Sequence, residues 1–218
     1  MTGVTRVLGW LAALALAAGL VLGFGVAPIE VTQGNVQRIM YLHPPLAWVA
    51  YLAFLVVFVA SIAYLARRAD AADRIAHASA EVGVIFTGLA IATGSIWGKP
   101  TWGTWWTWDA RLTSVAVMFV MYLGYLLLRG TIEDRERAAR YCAVLGIVAA
   151  INMPLVHFSV YWWRTLHQPP SLIKPGGFTG PRSILVPLLV NLVAFTLLYA
   201  YFVAKRVRLL AAEHEALA

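Results

Sequence analysis

Cysteine is nearly absent from this chain: Cys142 is the only one in 218 residues. An intramolecular disulfide is thereby excluded, and so is any metal centre built from a set of thiolates. The Cys-x-x-Cys-His pattern that attaches haem covalently in c-type cytochromes is missing too. Charge is scarce. Asp, Glu, Lys and Arg make up 12% of the residues, about half the share expected in a soluble domain. Acids are the scarcer sign, ten against seventeen bases. No Gly-x-x-x-x-Gly-Lys-Ser/Thr loop occurs, so any use of ATP has to come from a partner. No basic patch points to nucleic acid, and no internal repeat or separate soluble domain is visible.

What fills the chain instead is apolar. Hydrophobic residues reach 61% and the mean hydropathy is +0.75. Six stretches are free of Asp, Glu, Lys and Arg: 7–29, 39–66, 82–98, 112–128, 141–163 and 183–204. About 20 apolar residues cross a bilayer as a helix. The expectation is an all-α membrane protein, one domain over residues 1–218, with six spans near 7–28, 46–66, 77–97, 112–128, 141–163 and 183–204. The first run is longer than the apolar region of a signal peptide and reads as a span.

Basic residues set the orientation. Arg6, Arg67, Arg68, Arg74, Arg129, Arg135, Arg137, Arg140, Lys205, Arg206 and Arg208 fall on one side; Arg38, Lys99, Arg111, Arg164, Lys174 and Arg182 fall on the other. The positive-inside rule then predicts both termini in the cytoplasm and the segment between spans three and four outside.

That segment, Trp97-Gly98-Lys99-Pro100-Thr101-Trp102-Gly103-Thr104-Trp105-Trp106-Thr107-Trp108-Asp109, holds five tryptophans in thirteen residues. An interfacial aromatic belt accounts for one or two Trp per helix end. It accounts poorly for a cluster interleaved with Gly, Pro, Lys and Asp, which suits a flat, apolar, partly exposed ligand better. Two histidines share the outer side and have similar neighbours, His43-Pro44-Pro45 and His167-Gln168-Pro169-Pro170. Proline holds the residue before it out of the helical region and removes a backbone donor. Each imidazole is therefore expected at a helix border on a stiffened backbone. His77 and Glu81 are spaced as a helix-face pair. His157 lies near the outer end of span five, as a ligand or, the favoured reading, a hydrogen-bonded core histidine. Asp109 either caps the fourth span, with Arg111 as a pairing partner, or organises the site.

Two neutral imidazoles can fill both axial positions of a haem iron. Indole faces supply stacking area for the porphyrin, and Lys99, Arg111, Arg38, Arg164 or Arg182 can answer its anionic propionates. A closed zinc site wants four ligands, and carboxylates and cysteines are lacking. A Ser159–His157–Asp109 hydrolase has no motif behind it.

The Trp segment, continued through Ala110-Arg111-Leu112-Thr113-Ser114, resembles the tryptophan-rich WWD signature of haem-handling proteins in cytochrome c biogenesis. Phe24-Gly25-Val26-Ala27-Pro28, Tyr41-Leu42-His43-Pro44-Pro45 and the run from His157 to Gln168 make the chain similar, within that group, to the haem exporter protein C family of the bacterial cytochrome c maturation system. Pro44 departs from the family pattern. The resemblance implies a multi-pass protein of the bacterial inner membrane that holds haem b non-covalently at the periplasmic face and delivers it for c-type cytochrome biogenesis. It makes His43 and His167, and not His157, the axial ligands. Trp97, Trp102, Trp105, Trp106, Trp108 and Asp109 would form the surrounding platform, with Lys99 and Arg111 against the propionates. It further implies an ABC-type ATPase with its membrane partner, a small single-span subunit, and a membrane-anchored periplasmic haem chaperone that receives the haem. Two rivals remain: a bis-histidine electron-transfer cytochrome, and an assembly subunit of a transporter that binds no haem.

Overall fold

The computed structural model describes residues 3–169, 177–178 and 180–217, with only the backbone of His214 and Leu217. Pro170 and Lys174 lie outside the described residues. Seven α-helices account for six membrane-length segments: α1 (Gly3–Leu20), α2 (His43–Arg67), α3 (Asp70–Trp102), α4 (Ala110–Thr131), α5 (Arg135–Ala150), α6 (Asn152–Trp162) and α7 (Arg182–Leu217). Among the described residues no strand forms. With six crossings, both chain ends fall at one end of the bundle and the Trp segment at the other.

The fifth crossing departs from the uninterrupted span 141–163. It breaks at Ile151 into α5 and α6. Pro154 has no N–H to offer the Ala150 carbonyl one turn back, which ends regular helical bonding there. The Asn152 amide next to the break donates to the Ser114 carbonyl of α4 at 2.7 Å. The helix before the Trp loop is likewise longer than its apolar run. α3 continues through Pro100 to Trp102 and closes at Gly103, whose φ of 79° favours glycine. Its 33 residues span about 50 Å at 1.5 Å per residue, well beyond an apolar core of about 30 Å. Its polar first turns, Asp70 to Glu81, take up much of the excess, and its last turns carry Trp97, Lys99 and Trp102 toward the loop.

The core lies between α2, α3, α4 and α5. Phe54, Val57, Met118, Tyr122, Tyr125 and Cys142 are buried together, with Phe54 stacked on Tyr122 at 3.7 Å between centroids. At Gly83 an added Cβ would stand 2.8 Å from Phe54 Cε1, so the absent side chain lets α2 and α3 close. Among the described residues, the ion pairs lie at the end away from the Trp loop. Arg129 of α4 clamps buried Asp73 of α3 through two 2.5 Å contacts. Glu81 pairs with His77 at 3.3 Å and with Arg206 of α7 at 2.5 Å, so the helix-face pair expected at 77 and 81 is extended by a second helix. Helix α1 packs chiefly on α7, where the Asn191 amide donates to the Gly19 carbonyl at 2.8 Å.

The orientation gives a direct expected result. In a Cys142→Ser background, a cysteine at Thr104 should react with a membrane-impermeant maleimide added outside. Labelling only after the cytoplasmic face is opened reverses the topology.

Candidate functional site

His43 opens α2, with Pro44 and Pro45 in the first helical turn, where their missing N–H groups have no intrahelical partner to lose. Its ring leans on α3. Nδ1 lies 3.1 Å from the Ala90 carbonyl and 3.2 Å from Thr93 Oγ1. The carbonyl can only accept, and the Thr93 hydroxyl already donates to the Leu89 carbonyl at 2.8 Å. Nδ1 therefore carries the hydrogen and Nε2 keeps its lone pair. Space for the ring is made at Gly94, where a Cβ would stand 2.8 Å from His43 Cε1. Trp97 meets the ring edge-on, 5.9 Å between centroids, and its own Nε1 donates to Gln33 Oε1 at 2.8 Å. Gly94→Ala should therefore displace the imidazole while every candidate ligand remains in the sequence. The expected readout is loss of any histidine-dependent absorbance with helicity kept; an unchanged spectrum removes the need for glycine.

His167 is held differently. It stands beyond the end of α6 at Trp162 and away from α7, on a non-helical segment, so the expected helix border applies to His43 and not to His167. Burial first, then the Arg111 charge and the mutual exclusion of a second proton beside His43, lower its pKa to about 4. It is thus a neutral imidazole at physiological pH, the form that can donate a lone pair. Nδ1 is sealed from solvent with no hydrogen-bond partner. Trp102 packs against the ring at 4.7 Å. Asp109 holds the backbone in place: Oδ2 accepts from Leu166 N at 3.0 Å, and Oδ1 accepts from Leu112 N at 2.8 Å. Cap and organiser are therefore the same carboxylate, joining the start of α4 to the residue before His167.

Arg111 does not pair with Asp109. Among the described residues its guanidinium makes no hydrogen bond or ion pair, yet it acts electrostatically on His167. Lys99 is spent locally: exposed, it donates to the Gly103 carbonyl at 3.0 Å and complements the α3 C-terminus. Arg38 donates to the carbonyls of Phe24 and Ala27, closing the turn after the first crossing.

The remaining tryptophans lie on the loop itself. The Ser95 hydroxyl donates to the Trp105 carbonyl at 2.7 Å, and Thr104 to the Trp106 carbonyl at 2.8 Å. Trp106 and Trp108 meet edge-to-face at 5.5 Å. Trp105 is 56% and Trp108 76% exposed, large apolar surfaces turned outward. A narrow cleft beneath them is lined by Gly94, Trp102, Trp105, Trp106, Leu112 and Leu166.

A larger cavity of about 580 Å³ lies away from this pair of histidines, between α2, α5 and α6, lined by Tyr51, Phe58, Ile151, Pro154, His157 and Phe158 among others. It is almost wholly apolar and opens on the bundle's flank, as a lipid-facing groove does. His157 borders it. The favoured expectation of a hydrogen-bonded core histidine fails: His157 is exposed, makes no hydrogen bond among the described residues, and meets only Phe158 edge-on at 5.0 Å.

Thr93, Gly94 and Gln33 were not singled out from the sequence. The signal for the first two was present: Ala90, Thr93, Gly94 and Trp97 recur at i, i+3, i+4 and i+7, which is one face of a helix. Gln33 offered none, since its pairing with Trp97 joins residues 64 apart in the chain.

Comparison with known proteins gives the family. The family model described as Heme exporter protein C matches residues 1–218. Heme exporter protein C of Bradyrhizobium diazoefficiens is 49% identical over 197 residues, 89% of this chain and 74% of the relative. That of Escherichia coli (strain K12) is 39% identical over 202 residues, 91% and 81% of the two chains. A putative cytochrome c biosynthesis ccmC-like mitochondrial protein of Arabidopsis thaliana is 36% identical over 201 residues, 92% and 75%. A match over the whole chain, with relatives this similar, places the protein: it belongs to the Heme exporter protein C family.

Proposed function

We propose that this multi-pass membrane protein binds haem b non-covalently between His43 and His167 at the outer face of the bacterial inner membrane, and presents it to a periplasmic haem chaperone. Its family gives it a role in haem delivery for cytochrome c maturation. The observation that carries the finer reading is the pairing of two neutral, differently supported imidazoles around Arg111, a cation with no partner among the described residues. His43 Nε2 has a free lone pair by virtue of its Nδ1 bonds. His167 lies close enough to Arg111 and His43 for both to disfavour its protonation. A porphyrin supplies what each lacks: iron for two lone pairs, an apolar face for Trp97 and Trp102, and a carboxylate for Arg111. With Lys99 engaged at its helix end, Arg111 is the stronger choice for the propionate.

The location also separates this reading from an electron-transfer cytochrome. The pair sits at the rim of the bundle beside an outward-facing Trp loop, where a bound haem edge stays reachable by a second protein. The chain carries no nucleotide loop, so an ABC-type ATPase and its membrane partner, with a small single-span subunit, complete the system. Purification in detergent with an absorbance spectrum tests the first half: a low-spin bis-histidine haem is expected. Co-expression with the chaperone tests the second, with haem expected on the chaperone. A haem-free protein that still supports assembly of the ATPase complex overturns the proposal in favour of an assembly subunit.

A further inference from the structure

The two imidazoles are built unequally. His43 is anchored on a 33-residue helix: its Nδ1–H reaches two acceptors of α3, and Gly94 lets the ring sit flush against that helix. A ligating histidine whose other nitrogen donates a hydrogen bond is oriented and made more basic, and therefore binds metal more firmly. His167 has neither support. Its Nδ1 is sealed from solvent without a partner, and among the described residues its ring has no hydrogen bond at all. What places it is Trp102 against the ring at 4.7 Å, the Thr165 hydroxyl donating to its backbone carbonyl at 3.2 Å and, one step removed, the Asp109 carboxylate on the Leu166 N–H; none of these engages a ring nitrogen.

Resting on the haem reading above, we propose that the two axial positions differ in permanence. His43 is the anchor that holds iron throughout, and His167 is the ligand that lets go when haem leaves for its acceptor. Thr93 and Asp109 are the respective positioning residues. In the exchange, the coordinate bond from His167 to iron breaks and its electron pair returns to the imidazole nitrogen. A Lewis base from the acceptor, or water, donates an electron pair into the vacated position. The iron oxidation state does not change, and no proton need move. The arrangement solves a conflict in a carrier: two equally firm ligands would retain their cargo, and two equally weak ones would lose it.

Carbon monoxide provides the test, because it binds ferrous haem only where an axial imidazole has left. The haem-loaded full-length protein is reduced and mixed with carbon monoxide. Asp109→Asn, which weakens the latch on the His167 segment, should speed carbon monoxide entry about tenfold, the scale on which outer-sphere partners act. Thr93→Val should leave that rate nearly unchanged and raise the haem midpoint potential, because the remaining anchor becomes less basic. Haem content gives a second measurement that does not depend on Asp109→Asn folding. His167→Ala should keep most of its haem without the bis-histidine spectrum, and His43→Ala should lose most of it. The reverse pattern, with Thr93→Val speeding entry, Asp109→Asn silent, and haem retained only in His43→Ala, overturns the assignment. Equal effects in both arms overturn the asymmetry. A wild-type protein that never shows a haem spectrum removes the haem reading itself, an outcome distinct from either.

Discussion

His43→Ala and His167→Ala should each abolish the low-spin bis-histidine haem spectrum, while His157→Ala keeps it. Low-spin iron needs a strong ligand on both axial sides, so removing either imidazole changes the spin state even where the porphyrin stays bound. The contrast with His157 gives the experiment its force. All three histidines are at or near the Trp end of the bundle, and a general perturbation of that end would affect them alike. But His157 faces the apolar groove beside α6, exposed and without a hydrogen-bond partner, whereas His43 and His167 are joined by their shared relation to Arg111 and by the two flanking indoles. Helicity measured by circular dichroism in the same samples controls for folding. If His157→Ala abolishes the spectrum in folded protein and His167→Ala leaves it intact, the ligand assignment is wrong.

Six crossings are readable from charge-free runs alone, because burial in lipid forbids unpaired charge over the whole length of a span. Helix ends are less readable, for an identifiable reason. The third span is expected to end near residue 97, yet α3 runs on through Pro100 to Trp102, with the Thr101 hydroxyl donating to the Trp97 carbonyl at 2.8 Å to help hold the turn. Pro154 reads as an ordinary member of an apolar run, yet the helix breaks beside it. One proline is supported locally and the other is not, and only packing decides which. In the candidate site, the residues with unusual side chains are legible: His43, His167, the tryptophans and Asp109 announce themselves by type and clustering. The supports are not. Thr93 and Gly94 are common residues whose role appears only when the His43 ring is seen against α3. Lys99 and Arg111 look alike in sequence as outer cations; the structure separates them, because one is satisfied by the Gly103 carbonyl and the other has no hydrogen-bond or ion-pair partner among the described residues.

The second large effect concerns haem transfer. Trp105→Ala and Trp108→Ala should retain most bound haem yet lose most delivery to the chaperone. Both side chains are more than half exposed, so their removal costs the fold little, and both histidines remain to hold iron. What disappears is the rigid outer wall. Bond formation between a haem edge and a second protein demands placement within about 1 Å, and a misplacement of that size costs about 10²-fold in rate. Trp106→Ala is the harsher variant, since Trp106 is half-buried in the cleft and meets Trp108 edge-to-face; it should reduce haem content as well. Haem per protein and chaperone-bound haem are to be measured in the same preparations. For Trp105→Ala and Trp108→Ala, haem content should fall by less than about twofold while delivery falls by a far larger factor, approaching the positional cost above. Delivery that falls only in proportion to bound haem across all three variants would mean that the loop is a binding wall and does not orient the haem for transfer.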